Sequence, residues 1–541
     1  MESYLSNQTL TGTAPTSNEI YSFYSEVFEQ KISDGTLLPV IFPYHLLGIF
    51  LLTAYLCVPH KDSPKIYALR WPLLAFINWF EFRMIWKTSS VGLGMGSFAG
   101  SLSAYIILAS WTWLVFKRPQ WEAKRVQRVT KRTPLIKTEI PMEKTKDEAI
   151  QNGDLRKRKT SGSVKASEVG FSIDDAQKDE NETYQYFWQS YPDNFTERVS
   201  WVVDLLYNSR GPGWNWAISS IPPLPPAILT KAGGPVSKRS YADFSSAGSR
   251  RFINRYEHLI YRLSRLLVCY ITLDVLTTIM MKDPYFKIGP NSYALPSYLQ
   301  SLPQSFLRFY RIVLTSIGII VVMTSTINFL PLISCILGPG ILGLRAEPWY
   351  YPTEWGYFSN IYKGGLGGLW GDYWHQSFRL HFTSPTNFLI REGYMKPGTF
   401  IAKATSIFCA FFLSGFLHWA SSNSTFPATR PSDAMIFFLL QGLGIILQRA
   451  LSQLLSSYIT KFPKVIRYTG SFIFVLIWLY HTGWLLADDF ARSGLWLMDP
   501  IPISFSRLLG FGEIDAEWIS KRRQFRWFRG KNWWETGLAL A

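Results

Sequence analysis

The chain has 541 residues, 48% of them hydrophobic and 16% aromatic, with 22 Trp and only 17% charged. That balance, together with repeated apolar runs of about twenty residues, excludes a string of soluble domains and points to a multi-pass membrane protein. The net charge of +17 falls between the apolar runs, as in loops facing an anionic leaflet, and is no nucleic-acid signature.

Residues 1–36 form a polar tail without the basic and then apolar order of a cleavable signal, so the first span is expected to act as its own insertion signal. Within 37–116, spans are predicted at Leu38–Val58, Ile66–Phe82 (interrupted by Arg70 and Pro72) and Ser97–Phe116. Residues 117–183 mix Lys-Arg clusters with acidic and hydroxyl residues and read as a flexible basic cytosolic loop. Order returns at Tyr184 with Trp188–Pro192, Val199–Tyr207 and the turn Arg210-Gly211-Pro212-Gly213-Trp214-Asn215-Trp216, which suits a membrane interface. The Gly-Pro-Gly turn reads as structural, with an anionic ligand for Arg210 as the second choice. Further spans are predicted at Leu259–Met281, Ile312–Leu337, Thr399–Trp419, Ala434–Leu451 and Gly470–Ala487. A tail over 488–541 contains the basic-aromatic cluster Lys521–Trp527, expected to lie interfacially on the cytosolic face.

The fold class is therefore an all-α polytopic membrane protein with about eight transmembrane helices (range 7–10) and large cytosolic loops. Placing the basic loop in the cytosol puts the N-terminal tail in the lumen, the loop Arg345–Pro397 in the cytosol and Ser421–Ser432 in the lumen. The basic turn Lys461–Arg467 then falls in the cytosol as well. Of the glycosylation sequons, Asn7 and Asn423 become available and Asn181 and Asn194 do not. Cys57, Cys269, Cys335 and Cys409 lie in apolar stretches without paired spacing, which speaks against disulfides or a metal site.

The chemistry points to histidine. His418 lies inside an apolar run, with Ser414 and Gly415 one turn earlier on its face. An imidazole in hydrocarbon is costly unless it faces a polar cavity or a partner, so it is a functional candidate; the plain alternative is a helix-packing histidine. His375 sits in Trp374-His375-Gln376 with Arg379 one helical turn on, either as a functional group or as part of an interfacial anchor. His481 and Asp274, also in apolar runs, rank below these two. There is no Gly-x-Ser-x-Gly elbow, no Walker-type glycine loop and no His-Glu-x-x-His pair.

The combination Leu369-Trp370-Gly371-x-x-Trp374-His375-Gln376-x-x-Arg379, Ser414-Gly415-x-x-His418 and Phe438-Leu439-x-Gln441-Gly442 resembles the wax-synthase-domain branch of the membrane-bound O-acyltransferase superfamily. Similarity extends over an acyltransferase core at 184–487. Gln448-Arg449 departs from it, since an acidic residue is expected there. The resemblance implies His418 and His375 as catalytic residues. His418, as a neutral imidazole, would be the general base on an acceptor hydroxyl, and His375 would hold the thioester carbonyl or oxyanion. Gln376, Arg379 and Lys363 become candidates for binding the co-substrate, acyl-CoA and foremost acetyl-CoA. In fungal relatives the acceptor is often a terpenoid, meroterpenoid or polyketide alcohol; a long-chain wax or sterol ester synthase is the enzymatic alternative. A non-enzymatic transporter is the alternative of a different class. The resemblance also implies an endoplasmic reticulum location, lipid contact and no bound cofactor or metal.

Overall fold

The computed structural model describes residues 14–90, 95–132, 182–497, 501, 503–512 and 525–540. Asn7, Asn181 and the basic half of the Lys521–Trp527 cluster lie outside them, as do residues 133–181 of the expected flexible loop.

In chain order the main elements are α1 (Ser17–Ser33), β1 (Leu38–Phe42), α2 (Leu47–Cys57), α3 (Arg70–Lys87), β2 (Thr88–Ser89) and α4 (Met95–Trp111, continued by a π-helical turn Thr112–Phe116). Then come β3 (Arg125–Arg132), β4 (Glu182–Gln189), α5 (Phe195–Tyr207), α6 (Arg255–Met280), α7 (Gln304–Leu342), α8 (Ser359–Gly368) and α9 (Arg379–Arg391). The chain closes with α10 (Phe400–Asn423), α11 (Pro431–Leu454), α12 (Lys464–Arg492), β5 (Phe525–Phe528) and β6 (Gly537–Leu540).

Six helices among the described residues are long and apolar enough to cross a membrane: Gly96–Phe116, Arg255–Met280, Gln304–Gly338, Phe400–Asn423, Pro431–Leu454 and Lys464–Arg492. Each corresponds to a predicted span. The first two predicted spans look different. Leu38–Val58 divides into strand β1 and the 11-residue α2, about 16 Å of helix at 1.5 Å per residue. Ile66–Phe82 breaks near Arg70, and α3 runs on to Lys87. Both still pass between the same two ends as α4. His60 N–H donates to Gln120 Oε1 (3.0 Å) at one end, and Leu38 and Pro39 pair with Thr88 and Ser89 at the other.

The end that carries the N-terminal tail is closed by α1 and a small sheet. α1, opened by a Thr16/Glu19 capping box, buries Ile20, Tyr24 and Phe28 against Ile288, Tyr293, Phe426 and Leu497. Beside it stands a four-stranded sheet in the order β2-β1-β6-β5, with Val40 opposite Leu540. Arg526 pairs with Glu29 at 2.7 Å and Arg83 with Glu535 at 3.4 Å. Residues 525–540 thus sit at the same end as the N-terminal segment, whereas the expectation placed the tail and the basic-aromatic cluster on opposite faces. The reason is backbone pairing: β6 gives β1 and β5 their hydrogen-bond partners. At the opposite end Arg125–Arg132 pairs antiparallel with Glu182–Gln189, so the segment expected to be flexible from residue 117 is ordered to residue 132.

The segment Arg345–Pro397, expected as a cytosolic loop, is a re-entrant hairpin. α8 descends between α11 and α12 and continues as a π-helical turn Leu369–Tyr373 that places Trp370 against Phe411, Phe437 and Phe438. At the bottom Phe378 packs against the cluster formed by Ile85, Ala104, Ile107, Leu108, Leu417 and Ala420. α9 then climbs back: Phe388 meets Phe116 with ring centroids 5.7 Å apart, and Arg391 reaches Glu122 at 3.6 Å. Irregular backbone at this depth is tolerated because it is enclosed by protein.

Candidate active site

α10 carries His418. Its N-cap Thr399 accepts from Ala402 N–H (3.2 Å), and its path is fixed by two close approaches through glycine. A Cβ on Gly100 of α4 would lie 2.1 Å from Ala420 O, and one on Gly415 would lie 2.6 Å from Met435 Sδ. Small residues let these helices touch. At the far end of α10, Ser422 Oγ donates to the buried Asp489 (2.8 Å) and Asn423 Nδ2 donates to Ile85 O (3.0 Å). The Asn423 amide is therefore engaged, and its sequon neighbours Ser424 and Thr425 are buried.

His375 comes to this helix from the bottom of the hairpin. Its ring lies near Trp374, Phe378 and Trp355. His418 stacks on Phe438 with centroids 4.3 Å apart and planes 17° apart. Phe438 touches Trp370, Trp370 touches Trp374 and Trp374 touches His375, so one aromatic chain links the two imidazoles. Both rings are half-buried, and no hydrogen bond to either is present among the described residues. Burial pushes the His375 pKa down to about 3, with nearby His418 and then Arg210 adding to the effect. The arrangement is two imidazoles joined by one chain of aromatic contacts, with ring nitrogens that no described residue engages.

The other expected site residues behave differently. Arg379 donates to Gly371 O (2.9 Å) and to Gln376 Oε1 (3.1 Å). Gln376 Nε2 donates to Trp370 O (3.0 Å) and Trp374 O (2.6 Å). Both side chains hold the turn that presents His375. Lys363 is exposed on α8. His481 is exposed on α12, and Asp274 accepts from Ser506 N–H (2.8 Å) and the Ser504 hydroxyl, anchoring the 505–508 helix. Neither meets the histidine pair.

Sequence reasoning passed over the support beneath Trp355. Arg262, fully buried, donates to Glu354 Oε1 (2.5 Å), Asn328 Oδ1 (2.6 Å), Tyr351 O (2.6 Å) and His258 Nε2 (3.0 Å). Arg210 donates to Pro352 O (2.6 Å) and Thr353 O (2.8 Å), which commits two of its nitrogens to the same stretch. The clamped segment ends at Trp355, whose indole stands edge-on to Trp374 (5.1 Å) and His375 (6.1 Å). The available signal was Arg262 itself, a cation within an apolar run.

Residues 351–440 match the family model described as "Membrane bound O-acyl transferase family". The chain is similar to acetyltransferase spyB of Aspergillus fumigatus, with 24% identity over 48% of this chain and 40% of the relative. It is similar to acetyltransferase eriL of Hericium erinaceus, at 28% over 31% of this chain and 42% of the relative. A third relative, O-Mevalon transferase macI of Penicillium terrestre, is 24% identical over 46% of this chain and 52% of the relative. The chain thus spans about half or less of the length of these three curated relatives. No solved structure matches it. The matched residues 351–440 contain α8, α9 and both histidines.

Proposed function

We propose that the chain is an acyl-CoA-dependent O-acyltransferase that esterifies a hydroxyl of a lipophilic secondary metabolite, a terpenoid, meroterpenoid or polyketide, with acetyl-CoA as donor. The observation that carries this reading is the pair of imidazoles without hydrogen-bond partners inside the family-matched segment. His418 takes the proton of the acceptor hydroxyl, and the oxygen forms its bond to the thioester carbonyl carbon. The buried Nδ1 of His375 has no partner. A bare acceptor there, with the proton on Nε2, leaves an N–H to donate to the developing oxyanion. The C–S bond then breaks, and the leaving thiolate recovers the proton from His418. No acyl-enzyme is formed. Two supports favour a lipophilic alcohol over a soluble one, a site among membrane-spanning helices and its aromatic walls, while relatives named acetyltransferases favour acetyl as the group transferred. The location that goes with this reading is the endoplasmic reticulum membrane.

The test uses microsomes with wild type or His418→Ala at equal protein level. They receive radiolabelled acetyl-CoA or palmitoyl-CoA and a pooled extract of lipophilic alcohols. Ester label from acetyl-CoA in wild type, reduced about 10²–10⁴-fold in the variant, is expected. Label from palmitoyl-CoA alone moves the function to wax or sterol esters. Equal transfer by both proteins removes His418 from the chemistry.

A further inference from the structure

The two imidazoles sit on different elements, one on α10 and one on the hairpin, so something must fix their separation. α11 touches both. Its Phe438 stacks on His418, while two glutamines seven residues apart, Gln441 and Gln448, reach the descending arm that leads to His375. Seven residues are close to two helical turns, so both point to one side of α11. Gln448 Oε1 accepts from Leu366 N–H at 2.9 Å. The bond is made possible by Gly365, whose φ is 58° and where a Cβ would lie 2.0 Å from Gln448 Nε2. Gln441 is fully buried; its Oε1 accepts from Trp370 Nε1 (3.4 Å), and its Nε2 donates to Thr482 Oγ1 (3.1 Å) on α12. One glutamine thus holds the backbone at the top of the π-helical turn, and the other holds the indole below it.

We propose that Gln441 and Gln448 are positioning residues that set the distance and angle between His375 and His418, with α11 as the common ruler. Neither touches a ring nitrogen; they act through Leu366 and Trp370. The catalytic part of this proposal rests on the acyltransferase reading, while the geometric part does not. Gln448 needs only an acceptor atom at Leu366 N–H, so Gln448→Glu keeps the clamp and Gln448→Leu removes it.

The experiment uses the full chain in two arms. The first measures carbethoxylation of His375 and His418 by diethyl pyrocarbonate, resolved by peptide mass spectrometry, and requires no acyl transfer. The second measures turnover and KM with radiolabelled acetyl-CoA and the alcohol extract. For Gln448→Leu, faster labelling of His375 than in wild type is expected. Turnover should fall roughly tenfold to a hundredfold, the scale of a misplaced reacting group, with the KM for acetyl-CoA nearly unchanged. Gln448→Glu should restore both. If Gln448→Leu does not accumulate as folded protein, Gln441→Leu is read in the same way. Wild-type labelling and turnover in the leucine variants overturn the proposal, and so does a Gln448→Glu protein as impaired as Gln448→Leu. Absence of ester formation by wild type with every acceptor sinks the acyltransferase reading instead, and the labelling arm still decides the clamp.

Discussion

At the scale of single residues, the hairpin stores neutral histidine. His375 is held down to about 3 by burial first, then by nearby His418 and Arg210, and His381, whose Nδ1 lies 2.9 Å from Thr112 Oγ1, is held at about 4 by burial. Both lie below the ordinary 6.5. Between those limits the unfolded chain binds protons that the folded chain refuses, so stability rises with pH. The contribution is full above pH 6.5 and is lost as pH falls toward the folded values, by at most about 1.4 kcal/mol per pH unit for each ring. The unfolding temperature in detergent should therefore drop between pH 7.5 and 5, and less steeply for His375→Gln than for wild type. Parallel slopes would show that His375 titrates normally. His418 stands out in the sequence as a polar ring in an apolar run, and His375 by its aromatic setting one helical turn before Arg379. The side-chain contacts of Gln376, Arg379 and Lys363 are not legible there, because spacing shows which residues are near a histidine and not where they point. Arg379 is turned back onto Gly371 O.

At the scale of elements, the six long helices were readable from length and apolar content, and the re-entrant hairpin was not. Its helices have 10 and 13 residues, are interrupted by glycine, polar groups and Pro385, and fall well short of the roughly twenty residues that mark a span. β1 and β6 escaped for a related reason: strands of five and four residues are too short to separate from the ends of apolar runs. What places His418 is likewise a tertiary fact, the crossing of α4 and α10 at Gly100. The Cβ of Gly100→Ala would fall 2.1 Å from the carbonyl oxygen of Ala420, two residues beyond His418. Backbone cannot step aside as a side-chain tip can, so a loss of about 1–3 kcal/mol is expected, with reduced acyl transfer from the shift of α10. Gly364→Ala on α8 is the control, since nothing lies within 4 Å of its added Cβ. Thermal unfolding and turnover of the two variants side by side check this. A Gly100→Ala protein as stable and active as Gly364→Ala would mean that α4 and α10 are not in contact there.

At the scale of the whole molecule, both tails belong to one end. β6 pairs with β1, Arg526 with Glu29 and Arg83 with Glu535, so residues 525–540 cannot lie on the side opposite α1. The other end gathers the basic turn Lys461–Arg467, the arms of the hairpin and the β3–β4 pair. By the positive-inside rule that end is expected in the cytosol, where the proposed acyl-CoA donor would meet the mouth of the hairpin. Cysteine labelling in sealed microsomes separates the two ends. Asp34→Cys on the N-terminal side and Arg529→Cys in the tail are both exposed, as is Lys461→Cys on the basic turn. A membrane-impermeant maleimide should label Lys461→Cys directly, and the other two only after the membrane is opened with detergent. Labelling of Asp34→Cys before permeabilisation would invert the molecule and send acyl-CoA to the wrong side. Labelling of Arg529→Cys together with Lys461→Cys would break the β1–β6 pairing. The tail would then return to the cytosolic face that its basic and aromatic composition suggested.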